Sequence, residues 1–134
     1  MCVVRRAMVE QNKTALVLDD EMLIALDVEA MLFDLGYSQV TLLPSVPEAL
    51  AFLREHTPDV AVIDYHIRGR NCEAIAGILH HLGVPTIIHS GTPFEREYHG
   101  EFLSAFPWLE KPSSRNELAE ALAAAVSQSK LTTD

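Results

Sequence analysis

Four acids, one serine and one lysine stand just past short apolar runs, positions from which a parallel sheet presents its chemistry. Ala15-Leu16-Val17-Leu18 ends in Asp19, Asp20 and Glu21, and the run from Asp59 to Ile63 ends at Asp64. The run from Thr86 to His89 leads into Ser90, and Trp108-Leu109-Glu110 leads into Lys111. Carboxylates gathered at one edge raise each other's pKa unless a cation stands between them. A hard divalent ion such as Mg2+ meets that need with one or two carboxylates, a backbone carbonyl and water. The same residues suit phosphoryl transfer, with Asp64 as the nucleophile that becomes an aspartyl phosphate. Ser90 would donate to one phosphoryl oxygen, and Lys111 with the metal would offset the equatorial charge. A flexible lysine can pair first with Asp64 and then with the phosphoryl group.

The elements that must bring these residues together are legible as alternating strands and helices. After the first strand, Ile24, Val28, Met31, Leu32 and Leu35 share one helical face, and Gly36 closes it. Val40–Leu43 reads as the second strand, and Ser45 or its neighbour caps a helix reaching about Arg54. The third strand follows Pro58. Gly69 and Asn71 mark a loop before a helix from about Cys72 to Leu82, and Thr86–His89 forms the fourth strand. Gly91–Phe106 is irregular, with a short helical pattern near Glu95–Leu103 and four aromatics, Phe94, Tyr98, Phe102 and Phe106. Ser113 or Ser114 then caps a last helix with Leu118, Ala121, Leu122, Ala125 and Val126 at helical spacing. Five continuously apolar strands alternating with helices predict an α/β fold, a doubly wound parallel sheet with helices on both faces and a short or irregular fourth helix. Residues 14–129 form the domain, 1–13 a flexible N-terminal extension and 130–134 a tail.

Composition narrows the function. The chain has 134 residues, room for one domain and none for an output domain. A net charge of −9 argues against nucleic-acid binding, and no apolar run is long enough to span a membrane. Cys2 and Cys72 make no disulfide framework or zinc motif, and residues 1–13 lack a signal-peptide pattern, so a cytoplasmic protein is expected. The six histidines show no metal-binding spacing. Ser90 lacks the glycines of a nucleophile elbow, since Ile88 and Thr92 flank it at two residues. No glycine-rich phosphate loop follows the first strand. Asp64-Tyr65-His66 also lacks the second aspartate of haloacid-dehalogenase-type phosphatases.

In this order and at these strand ends, the residues resemble the receiver domains of two-component response regulators over about Lys13 to Val126. That pattern has an acidic pair (Asp19-Asp20), a phosphoacceptor (Asp64), a Ser or Thr ending strand four (Ser90) and a Lys-Pro ending strand five (Lys111-Pro112). The resemblance implies a flavodoxin-like, five-stranded fold. It also implies Mg2+ on Asp20, Asp64 and the His66 backbone carbonyl, with Asp19 assisting. A sensor histidine kinase or histidine phosphotransfer protein would supply the phosphoryl group, and a downstream protein would read the result. Such a chain catalyses its own phosphorylation and dephosphorylation without being a conventional enzyme, as a monomer or a phosphorylation-dependent dimer. Leu18–Asp27 and Leu35-Gly36-Tyr37 are similar to stand-alone alphaproteobacterial regulators with a Pro-Phe-x-Phe-Ala-Thr-Gly-Tyr motif. Of that motif Pro85 and Gly91 are kept, and Ser90 replaces the Thr.

Four features depart from the family or extend its pattern. Trp108 stands three residues before the Lys, where receivers place the Tyr or Phe that switches with Ser90. The His66 imidazole either faces the phosphoryl group or is a solvent-facing loop histidine. The Gly91–Phe106 segment is either a loop that orders on activation or a short helix packed on the sheet edge. On the first helix, Met22, Leu26 and Phe33 lie off the core stripe, where receivers dock a kinase or phosphotransfer bundle. The alternatives to a phosphorylation switch are a phosphorylation-independent interaction module and a phosphate sink.

Overall fold

The computed structural model describes residues 13–133. Cys2 and the predicted extension before Lys13 lie outside the described residues. The elements run β1 (Thr14–Leu18), α1 (Met22–Asp34), β2 (Gln39–Leu43), α2 (Val46–Glu55) and β3 (Val60–Asp64). Two short strands follow, β4 (His66–Ile67) and β5 (Arg70–Asn71), then α3 (Glu73–His81) and β6 (Thr86–Ser90). The chain closes with α4 (Arg96–His99), a 3-10 turn (Phe102–Ala105), β7 (Trp108–Glu110) and α5 (Arg115–Thr133). The last helix thus continues past residue 129, where the sequence placed a tail.

Five strands form one parallel sheet in the order β2-β1-β3-β6-β7. Its β1–β3 and β6–β7 pairs bring the chemistry-bearing ends together, because β1, β3, β6 and β7 all point the same way. Leu18 pairs with Ile63, so Asp19 and Asp64 lie side by side one residue on. Ser90 pairs with Glu110, so Lys111 follows directly beside it.

Alternation along each strand feeds two cores. Leu16, Leu18, Ala61, Ile63 and Ile88 pack with Ala49 of α2 and Ile75, Ala76 and Leu79 of α3. Ala15, Val17, Val60, Val62, Ile87 and Leu109 pack with Ala25, Val28 and Leu32 of α1 and Leu118, Leu122 and Ala125 of α5. The sheet is therefore covered on both faces, the doubly wound arrangement predicted from its continuously apolar strands. The same period of two carries Asp19, Asp64 and Lys111 onto the α1–α5 side.

The helix ends follow local chemistry. Ser45 Oγ accepts the Glu48 N–H at 3.4 Å. At α5 the cap is Ser114, reciprocally bonded: its Oγ accepts the Glu117 N–H at 3.1 Å, and Glu117 Oε1 accepts the Ser114 N–H at 2.8 Å. The predicted loop at Gly69 and Asn71 is instead a small antiparallel hairpin, with His66 opposite Asn71 and Ile67 opposite Arg70. Its two-residue turn has Arg68 at φ 50° and Gly69 at φ 82°, the left-handed backbone such tight hairpins demand. Two-residue strands carry no hydrophobic alternation, so nothing in their pattern announces them.

Gly91–Phe106 contains only the four-residue α4 and the 3-10 turn, in keeping with a short fourth helix. His99 and Leu103 are buried there, and Phe94 and Phe106 pack against the core beneath α2 and α3. Tyr98 stays 73% exposed. No helix among the described residues is long and apolar enough to cross a membrane.

Candidate phosphoryl-acceptor and metal site

Asp19 follows β1 and Asp64 ends β3, and each is nearly buried, at 5% and 6% exposure. Lys111, set by β7 and followed by a cis Lys111–Pro112 peptide, reaches both: its Nζ lies 3.0 Å from Asp64 Oδ2 and 3.3 Å from Asp19 Oδ2. A third carboxylate, Glu21 Oε1, stands 3.1 Å from the same ammonium. The Glu21 N–H donates to Asp19 Oδ1 at 2.9 Å, which fixes the turn from β1 into α1. Asp20 is exposed, and its Oδ2 accepts the Arg68 N–H at 3.1 Å. The Glu21–Lys111 pair was not foreseeable from residue order, because it depends on where β7 lies in the sheet.

One ammonium shared by three carboxylates leaves the cluster with excess negative charge. Burial pushes Asp64 up to about 6; the hydrogen bond from Lys111 opposes the shift, and the charge of Asp19 adds to it. Burial draws Lys111 down, but its hydrogen bond to Asp64 and the fields of Asp64 and Asp19 outweigh this and hold it above its ordinary value. Asp19, Asp20, Glu21 and Asp64 each offer a carboxylate oxygen within 4.8 Å of the others. An all-oxygen, anion-rich set of this kind fits Mg2+, which favours a few carboxylates and retained waters.

His66 donates its backbone N–H to Asp64 Oδ1 at 3.4 Å, while its exposed imidazole lies along Tyr65 with ring centroids 6.2 Å apart. Ser90 is buried, and its Oγ accepts the Thr92 N–H at 3.2 Å and lies 3.3 Å from Thr92 Oγ1. Trp108 Nε1 donates to the Thr92 carbonyl at 2.8 Å. Its indole packs among Tyr65, Phe94 and His99 at centroid distances of 5.7, 5.1 and 4.6 Å. Thr92 therefore links Ser90 to Trp108, a connection the sequence did not reveal. On the far side of Asp64, His89 is buried in register with it, and its Nε2 lies 3.2 Å from Ser113 Oγ. Burial and the charge of Lys111 push that imidazole down to about 4, so it is neutral at pH 7. Met22, Leu26 and Phe33 are 62%, 44% and 47% exposed, and Leu23, at 84%, joins them.

No family model and no curated protein matches the chain in sequence. Solved structures do match its fold. SdrG from Sphingomonas melonis Fr1 is 27% identical, with TM-score 0.75 over 87% of this chain and 98% of that one. A response regulator receiver protein from Sinorhizobium medicae WSM419 is 25% identical, with TM-score 0.74 over 88% of this chain and 97% of that one. The signal receiver domain of a modulated diguanylate cyclase from Desulfovibrio desulfuricans G20 matches in fold at 22% identity, with TM-score 0.77 over 90% of this chain and 98% of that one.

Proposed function

We propose that this chain, which carries the response-regulator receiver fold, is a phosphorylation-dependent signalling switch whose phosphoacceptor is Asp64. The observation that carries this reading is the Lys111 ammonium bridging two nearly buried carboxylates, Asp64 and Asp19, from the end of a distant strand. In the reaction, an Asp64 oxygen attacks the phosphorus of a phosphorylated imidazole, the P–N bond breaks, and its electron pair leaves with the imidazole. Asp20, Asp64 and the His66 carbonyl, with Asp19 assisting, would hold Mg2+, which would supply charge neutralisation at the phosphoryl oxygens. Lys111 pairs with Asp64 beforehand and with the phosphoryl group afterwards. Ser90 turns its hydroxyl proton away from Thr92 Oγ1 to donate to a phosphoryl oxygen. Since the Thr92 carbonyl anchors Trp108, that exchange moves the indole and alters the surface around α4 and β7.

The phosphodonor is a sensor histidine kinase or histidine phosphotransfer protein, docking on the exposed Met22, Leu26 and Phe33 of α1 beside the acidic edge. The readout is a changed affinity for a downstream protein. These assignments place the chain in the cytoplasm, where such donors act.

The test uses Trp108, the only tryptophan of the chain. Its fluorescence should change saturably with Mg2+ and again with beryllofluoride, a phosphoryl mimic, and the second change should vanish in Asp64→Asn. Silent fluorescence together with no Mg2+ binding by calorimetry would favour a phosphorylation-independent interaction module.

A further inference from the structure

We propose that Arg68 and Arg70, on the β4–β5 hairpin, form a cationic lip that draws the anionic phosphodonor to Asp64; this rests on the reading of Asp64 as phosphoacceptor. The hairpin begins two residues after Asp64 and is fixed at three points. Ile67 is 1% exposed and anchors it in the core, the His66 N–H donates to Asp64 Oδ1, and the Arg68 N–H donates to Asp20 Oδ2. Its tip is therefore tied to the rim of the acidic cluster. Arg68 is the one non-glycine residue with positive φ among the described residues, a conformation that L side chains rarely adopt. An asparagine or glycine would fit that turn more easily, yet the position carries a cation.

Both arginines are exposed. Arg96 pairs with Glu101 and Arg115 with Asp34, but neither hairpin arginine has an ion pair among the described residues. The chemistry beside them creates the need. A donor's phosphoryl group is anionic, and it must approach four carboxylates balanced by one lysine on a chain of net charge −9. Uncompensated, that field repels the donor; two free guanidinium groups at the rim weaken that repulsion locally. The chemistry recognised is the phosphoryl group itself, whether carried by a small molecule or on a protein's imidazole.

The experiment follows phosphoryl incorporation into the full chain at saturating Mg2+, with acetyl phosphate (a P–O donor) and phosphoramidate (a P–N donor). In each step the bond to phosphorus forms at an Asp64 oxygen, and the electron pair of the broken bond leaves with acetate or with the amine nitrogen. The test variant is R68N/R70Q, since asparagine tolerates the positive φ at position 68. Its rate should fall roughly 3–10-fold at low ionic strength and converge on wild type near 0.5 M salt, where charges are screened within a few ångströms. R68K/R70K should recover the rate, and R54Q, an exposed cation on α2, should leave it unchanged. Mg2+ affinity by calorimetry should stay level or rise in R68N/R70Q, because cations beside a metal site oppose the metal; a merely structural defect would weaken both. Slowing confined to phosphoramidate assigns the lip to donors with phosphorylated nitrogen, and slowing of both to the phosphoryl group itself. Equal rates at every ionic strength in a wild type that is labelled would overturn the lip alone. A wild type that neither donor labels would overturn the phosphoacceptor reading and the lip with it.

Discussion

Asp64→Asn should raise the melting temperature of the metal-free protein at pH 7 by roughly 5 °C or more. The folded protein holds the Asp64 proton to about 6, whereas the ordinary value is 3.8. Between those values the folded chain binds more protons than the unfolded one, so stability is lost as pH rises through that window. Two units correspond to an upper bound of roughly 3 kcal/mol at neutral pH, and this is already net of the ion pair with Lys111, whose attraction is part of what sets the value near 6. The gain should therefore shrink as pH falls from 7 to about 4. Mg2+ should stabilise wild type at pH 7 and the variant much less, because the variant has already shed the repulsion. Thermal melts with and without Mg2+ at several pH values check this. A variant that melts lower than wild type at pH 7 would show that Asp64 is not held against its burial.

Lys111→Met should act in the opposite direction and more strongly. Among the described residues the lysine is the only cation within 3.3 Å of both Asp19 and Asp64, and its side chain is 12% exposed. Removing one partner of a largely buried pair leaves the others uncompensated, at a cost of about 3–5 kcal/mol. Combining it with Asp64→Asn should restore a large part of that loss, because the asparagine needs no counter-ion. The Trp108 response to beryllofluoride should also be lost in Lys111→Met. Chemical denaturation of the two single variants and the double variant measures the coupling directly. A cost below about 1 kcal/mol, the range of exposed surface pairs, would contradict the central place given to this ion pair.

The parts of the molecule that were legible in the sequence share a physical cause. A parallel strand buried on both faces must be continuously apolar, so the first polar residue after Leu18 or Ile63 marks where the strand meets solvent and where ligands gather. The stripe on α1 and the two serine caps are legible to within one residue because helix periodicity and orphan N–H groups leave local signatures, and the fold selects Ser45 and Ser114. The hairpin from His66 to Asn71 looks like a loop in the sequence because its strands are too short for a pattern. The bond from Trp108 to the Thr92 carbonyl and the Glu21–Lys111 pair join residues 16 and 90 positions apart, so they exist only once the sheet order is known. Leu23, the most exposed of the α1 hydrophobes, does not stand out in the sequence because exposure depends on how the helix is rotated over the sheet.

The most direct measurement is the intact mass of the protein after incubation with acetyl phosphate and Mg2+ and an acid quench, with peptide mapping of any product. The expected result is one added phosphoryl group on the peptide containing Asp64, dependent on Mg2+ and absent from Asp64→Asn. A wild type that gains no mass, or an Asp64→Asn variant that gains as much, would contradict the assignment of Asp64 as phosphoacceptor.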